Sequence, residues 1–316
     1  KGLFKIGLER GHFKPPRAEG GNRRDRGLDA GDGGVIGQAL HQGRAAQVEA
    51  SGSVDRVRLS ANFHKADFDE VFKLMVEMLR EPQFAQDKLD LAKRQQFTGI
   101  ARRNDDPMPI ADRESDKLAL GADHPHARKP EYATVAAVTR EDLLSWHNQH
   151  AMPNNMMLGV TGDFDAAAME AKLRALLAGW PKGAAPAPAN IAFNPTKPGV
   201  YFVNKDDVNQ SNIRLVQLGT TRRNPDAYAI EVMNEILGGG FAARLFTNIR
   251  SKKALAYNVA GGVGMDWAYP ALYRLRMGTA SNNTVKAVQA LYEEVNAMLK
   301  DRPPTPEELT KAKEAI

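Results

Sequence analysis

The sequence predicts an α+β fold in two similar domains, and three observations carry that prediction. The run Val57-Arg-Leu-Ser-Ala-Asn-Phe63 alternates apolar and polar residues, the period of a strand with one buried face. An amphipathic helix follows it, over residues 68–79. The run Leu272-Tyr-Arg-Leu-Arg-Met-Gly-Thr-Ala280 repeats that order, with its own amphipathic helix, a proline-marked break and a new helix from Pro306. Between the two copies, residues 181–198 hold Ala184-Ala-Pro-Ala-Pro-Ala189 and read as a semi-extended linker.

Taken in order, residues 1–46 stand apart. They hold 11 of the 27 glycines and a net charge of +4 (nine Lys/Arg against five Asp/Glu), and no periodicity lasts more than a few residues. This segment reads as an irregular basic arm or as a stretch that is not native to the chain. Its Gly31-Asp-Gly-Gly-Val-Ile-Gly37 is no phosphate loop, because no strand precedes it and no Lys-Ser/Thr follows.

A first domain then spans 47–180. After the Val57 strand, Asp67 with Glu70 is the expected cap of a helix carrying Phe68, Val71, Phe72, Met75, Met78 and Leu79, and Pro82 stops it. A second helix is expected over 86–103, and the turn Asn104-Asp-Asp-Pro107 leads into a third. Thr139-Arg-Glu-Asp142 starts another. A strand at 156–160 and a helix begun by Gly162-Asp-Phe-Asp165 complete the domain. The second domain, 199–316, opens on strands at 200–203 and 213–218. A helix at 225–237, the stretch from Gly238 to Val263, a strand at 272–280 and helices at 285–299 and from Thr305 follow.

Composition narrows the class. With 42% hydrophobic and 26% charged residues, the chain is globular rather than disordered. No run approaches the length of a membrane span. Zero cysteines exclude disulfides, thiolate metal sites and cysteine nucleophiles but leave the compartment open between periplasm and cytoplasm. The net charge of +5 is concentrated in residues 1–46, so the remainder is nearly neutral and nucleic-acid binding is not expected.

The stretch Gly238-Gly-Gly-Phe-Ala-Ala-Arg-Leu-Phe-Thr-Asn-Ile-Arg250 through Ala256-Tyr-Asn-Val259 is where chemistry gathers. Three glycines stop a helix. A short helix carries Leu245, Phe246 and Ile249 on one face, and an alternating run begins at Tyr257. This stretch resembles the insulinase-like (M16) zinc metallopeptidase family, in the branch of the mitochondrial processing peptidase and bacterial two-domain homologues. Leu79-Arg-Glu-Pro-Gln-Phe84 and Met152-Pro-Asn-Asn-Met-Met-Leu-Gly-Val-Thr-Gly-Asp-Phe-Asp165 extend the likeness over most of residues 50–316.

The resemblance implies two domains, each an antiparallel sheet with helices packed on one face. In that family the first domain holds zinc through a His-x-x-Glu-His helix, with a later glutamate as third ligand. The second domain supplies an Arg and a Tyr, placed here at Arg250 and Tyr257, which hold the substrate backbone and steady the developing oxyanion.

The zinc half is missing from this sequence. None of the seven histidines (His12, His41, His64, His124, His126, His147, His150) stands in His-x-x-Glu-His, and the expected region contains only Gly11-His-Phe-Lys-Pro15. The helix that should carry the third ligand reads Ala-Lys-Arg-Gln-Gln-Phe-Thr-Gly-Ile-Ala-Arg-Arg over 92–103, without a carboxylate and with Gly99 at or near the ligand position. The resemblance therefore implies no catalytic residue in this chain alone, no metal and no other cofactor, with zinc expected in a partner subunit. The implied partners are a zinc-bearing M16 subunit or a second copy, and an unfolded peptide. Both domains are expected to be truncated, the first at its opening and the second at its close. Two other readings stand beside the substrate-binding subunit. One is a catalytically inactive scaffold or assembly protein, and the other is a fragment of an ordinary zinc endopeptidase that has lost its motif.

Other polar groups have simpler readings. His124-Pro-His126 is expected in an exposed loop. His147 and His150 lie one helical turn apart but read as the polar end of a helix. Asp105-Asp106 reads as a capping turn, and Met152, Met156 and Met157 as core.

Overall fold

The computed structural model describes residues 3–9, 35–40, 46–184 and 191–316, the first two segments as backbone only. His12, His41, most of Gly31–Gly37 and linker residues 185–190 lie outside the described residues. The chain divides into two compact units, residues 1–100 with 130–190 and residues 101–129 with 191–316.

The first unit is built on strands β1 (Leu3–Glu9), β2 (Val35–Leu40), β3 (Gln47–Gly52) and β4 (Val57–His64). With β5 (Met157–Thr161) they form one sheet in the order β2-β3-β4-β1-β5, every pairing antiparallel. This corrects the expectation for residues 1–46, since β1 and β2 fall inside that segment. In β1, Phe4, Ile6 and Leu8 alternate with Lys5, Gly7 and Glu9, but the run is short and stands among glycines and arginines. Its partners, β4 and β5, lie far along the chain, with Gly7 opposite both Ser60 and Gly159.

Alternation in β4 buries Leu59, Ala61 and Phe63. Helix α1 (Phe68–Arg80) lays Phe68, Val71, Phe72 and Met75 on them, and the Phe68 and Phe72 rings stack at 5.4 Å. The helix starts where expected but not by the expected cap. The 3-10 turn Lys65–Asp67 feeds it, and the Asp67 side chain makes no capping hydrogen bond. Helix α2 (Gln86–Arg102) follows, and the chain passes through α3 (Pro107–Leu120) of the other unit before returning. Helix α4 (Tyr132–Ala137) forms where the sequence predicts none. Helix α5 (Arg140–His150) has the reciprocal Thr139/Asp142 capping box. Helix α6 (Ala166–Leu176) is capped by Asp165, whose carboxylate accepts from Ala168 N–H at 2.8 Å. It sets Met169, Leu173 and Leu176 against the same core.

The second unit has strands β6 (Gln210–Leu218), β7 (Thr220–Thr221), β8 (Asn258–Val263), β9 (Met265–Asp266) and β10 (Leu272–Ala280). The main sheet runs β6-β10-β8, antiparallel, and β7 pairs β9 in parallel. Helices α7 (Ala227–Gly238), α8 (Thr284–Leu299) and α9 (Pro306–Ala315) accompany it. Leu275 and Met277 of β10 are fully buried with Leu245, Ile249, Ala287 and Leu291. The expected strand at 200–203 does not form. The segment joins no strand among the described residues, and Val200 is fully exposed and Phe202 84% exposed.

Residues 101–129 lie within the first domain by sequence, yet they cluster with the second unit. Helix α3 is held there by charge: Arg214 Nε donates to Asp112 at 2.6 Å, and Arg274 pairs with Asp116. Burial alone would raise the Asp112 pKa. The Arg214 hydrogen bond and the charges of Arg214, Arg276 and Arg274 outweigh it and hold the carboxyl below its ordinary range. Backbone bonds from Asn194 N–H to Leu120 O (3.1 Å) and Thr196 N–H to Leu118 O (2.8 Å) tie the end of the linker to the same helix.

Candidate substrate-binding site

The glycine run ends α7 because the backbone there approaches β8. A Cβ at Gly238 would meet the Gly261 carbonyl oxygen at 2.4 Å, and Gly261 itself lies at φ +141°. Asn234 pairs with the strand edge as a backbone would. Its Oδ1 accepts from Val263 N–H at 2.7 Å and its Nδ2 donates to Val263 O at 2.9 Å. Helix and strand are thereby fixed on both sides of the segment between them.

That segment is not an ordinary α-helix. Leu245–Lys252 forms a π-helix, closed by Lys253 N–H to Asn248 O at 3.1 Å, the i→i+5 spacing. The wider turn is anchored by burial of Leu245 and Ile249 on one side. At its start, buried Arg244 forks onto Glu308, with Nε and Nη2 both at 2.7 Å from the carboxylate, and Nη2 also donates to Pro303 O at 3.0 Å. The Arg244 hydrogen bond holds Glu308 far below the usual glutamate range, at about 2. At the far end Ala254 takes φ +52°, the left-handed region that costs an ordinary residue about 1–2 kcal/mol. Lengthened helical turns and non-glycine left-handed residues both concentrate where a protein positions functional groups.

Arg250 and Tyr257 lie on the two sides of that strained exit. The Arg250 guanidinium stacks over the Phe246 ring at 4.5 Å, and Phe246 meets Phe241 edge-on at 5.0 Å. Among the described residues no carboxylate forms an ion pair with Arg250, unlike Arg244 in the same segment. Tyr257 stands just before β8, its N–H donating to Gly278 O at 2.8 Å and its side chain 71% exposed. The arrangement offers the N–H donors of the partly buried Arg250 and the exposed Tyr257 phenol, groups that bind carbonyl and carboxylate oxygens. The edge-on Phe246–Phe241 contact is not legible in the sequence, although the spacing of Phe246 and Arg250 on a helix is that of neighbours.

The zinc that the resemblance associates with such a pair finds no place among these side chains. No group of three or more His, Asp or Glu that could hold a metal ion occurs among the described residues. His147 Nε2–H donates to Leu79 O at 2.7 Å and the ring packs edge-on against Phe84, while His150 lies against Trp146. His124 and His126 correct the expectation of an exposed loop. His124 is buried against Phe193 and Tyr269, and His126 Nε2 bonds the Tyr269 hydroxyl. The sequence hid this because both aromatic partners lie far along the chain. Helix α2 presents Gly99 with open space where the resemblance expects a carboxylate nearby.

Comparison with known proteins identifies the family. Residues 137–316 match the family described as the peptidase M16 inactive domain. An uncharacterized zinc protease of Mycobacterium leprae is 30% identical over 201 residues, 61% of this chain and 44% of its own length. One of Rickettsia felis is 24% identical over 243 residues, 73% of this chain and 55% of its own. The chain thus spans about half the length of these curated relatives. A crystal structure of a peptidase M16 inactive domain from Pseudomonas fluorescens shares the fold with a TM-score of 0.77 at 24% identity. The match covers 99% of this chain and 77% of that one. With more than half of its residues inside the matched region, the chain belongs to the M16 peptidase family, and its sequence holds no His-x-x-Glu-His motif.

Proposed function

We propose that this chain is a non-catalytic M16 subunit that binds an unfolded peptide through Arg250 and Tyr257 and completes the active site of a zinc-bearing partner. The observation that carries the reading is the treatment of two arginines in one segment. Arg244 is buried and neutralised by Glu308, whereas Arg250, partly buried and propped on an aromatic ring, pairs with no carboxylate among the described residues. A cation with no ion-pair partner among the described residues is available to a ligand. An arginine fork suits the carbonyl oxygens of an extended peptide, and a phenol can donate to an oxygen that gains charge during hydrolysis. The partner supplies the metal, so hydrolysis is a property of the pair.

The test uses the chain reconstituted with a zinc-bearing M16 subunit and an unfolded, fluorescently labelled casein. Arg250→Ala and Tyr257→Phe should each lower kcat/KM by about tenfold or more while the two chains still co-elute. Unchanged cleavage by the double variant would sink the proposal. Stable assembly with no cleavage under any condition would instead identify a scaffold.

A further inference from the structure

Leu255 joins the helix that carries Arg250 to the strand that follows Tyr257. Its N–H donates at 3.0 Å to the carbonyl of Ile249, the fully buried residue just before Arg250. Its own carbonyl accepts at 2.6 Å from the hydroxyl of Thr279 on β10. Two residues on, Tyr257 N–H donates to Gly278 O of the same strand at 2.8 Å. The turn between these ties leaves the helix through Ala254, at φ +52°. A left-handed alanine persists where its surroundings over-determine it. Of these three ties, the one from Thr279 is made by a side chain.

Packing does not account for that side chain. Tyr273, Leu275, Met277 and Thr279 are alternate residues of β10 and all are buried, the first three in the apolar core. The same period calls for an apolar residue in the fourth place, and valine has the shape of threonine. Thr279 is 2% exposed, so its hydroxyl costs free energy there unless it is hydrogen-bonded, and the Leu255 carbonyl is its acceptor.

We infer that Thr279 is a positioning residue for the Arg250/Tyr257 pair, its hydroxyl fixing the turn that sets the phenol relative to the guanidinium. The inference rests on the peptide-binding reading of that pair. Without the hydroxyl the Leu255 carbonyl loses its partner, and the left-handed turn loses its side-chain tie to β10. Arg250 stays in place on the helix anchored by Ile249, whereas Tyr257 shifts away from it. The peptide is then still gripped, but the developing oxyanion is less well met. The loss falls on kcat and leaves KM nearly unchanged.

The experiment uses the chain reconstituted with a zinc-bearing M16 subunit and labelled casein, with rates expressed per co-eluting pair. Thr279→Val keeps the shape without the donor and should lower kcat several-fold to about tenfold. Thr279→Ser keeps the hydroxyl and should retain the parental kcat. Thr279→Cys carries only a weak donor and should fall as Thr279→Val does, which preserves the test if the valine variant fails to fold. Met298→Ala removes a side chain of α8 from the same core and should lower Tm while kcat per pair persists. If Thr279→Val and Thr279→Cys cleave like the parent while Arg250→Ala and Tyr257→Phe are impaired, the positioning role is overturned and the peptide-binding reading stands. A serine variant as impaired as the valine one, or an equal loss in Met298→Ala, would also overturn it, because Thr279 would then act through packing or stability alone. If Arg250→Ala and Tyr257→Phe leave cleavage unchanged, or no pair cleaves, the reading itself falls and this inference with it.

Discussion

Arg244 and Glu308 illustrate how a single pair can hold a functional segment in place. Glu308 works twice, accepting from Arg244 and, through Oε2, from Thr305 N–H at 2.9 Å in the capping box that starts α9. Its carboxyl sits at about 2, well below the ordinary value of 4.5, chiefly because of the Arg244 hydrogen bond. A depressed folded-state pKa contributes stability that is present above the unfolded value. That contribution is lost as pH falls from about 4.5 toward about 2. Glu308→Gln should therefore lower Tm at neutral pH, with a cost of roughly 1.5–3 kcal/mol for the lost charge-assisted bonds. It should also flatten the fall in Tm across that acid window, read by thermal melts at a series of pH values. A variant whose acid profile matches the parent would place the acid sensitivity elsewhere. Of these two residues the sequence disclosed only the cap. The Thr305 to Glu308 spacing is local, whereas the arginine arrives from the other side of two helices and a sheet.

At the scale of elements, local rules placed most of the structure. The strand at Leu272–Ala280 has the bounds its alternation predicts, and α5, α6 and α9 begin at their Thr139, Asp165 and Thr305 caps. Asp165→Ala removes the side-chain acceptor for Ala168 N–H and should cost about 1 kcal/mol, measured as a lower urea midpoint by circular dichroism. No change in midpoint would mean that packing of Met169 and Leu173 alone sets the start of α6. The failures at this scale share a cause. The apolar segment at 200–203 has strand-like composition but no strand beside it, and β1 has two partners that its own residues do not announce. A strand is completed by its neighbours, so composition identifies candidates without identifying pairs. The π-helix at Leu245–Lys252 likewise has no sequence period that encodes it.

For the molecule as a whole, the central functional question is where the metal resides. The chain purified alone should carry well under one equivalent of zinc after dialysis, measured by plasma mass spectrometry. A stoichiometric, tightly held ion would contradict the reading of the first unit. The sequence by itself determined the α+β class, the repeated strand–helix order and the lack of a His-x-x-Glu-His motif. Each is written in spacings of a few residues, where the helical and strand periods and capping chemistry operate. Only the tertiary structure decided that residues 101–129 join the second unit, that His124 and His126 are packing residues, and that Arg244 is neutralised by Glu308 while Arg250 meets no carboxylate among the described residues. Those outcomes depend on charges and rings brought together from distant parts of the chain. An arginine reads the same in sequence whether a carboxylate or open solvent faces it, and folding alone settles which.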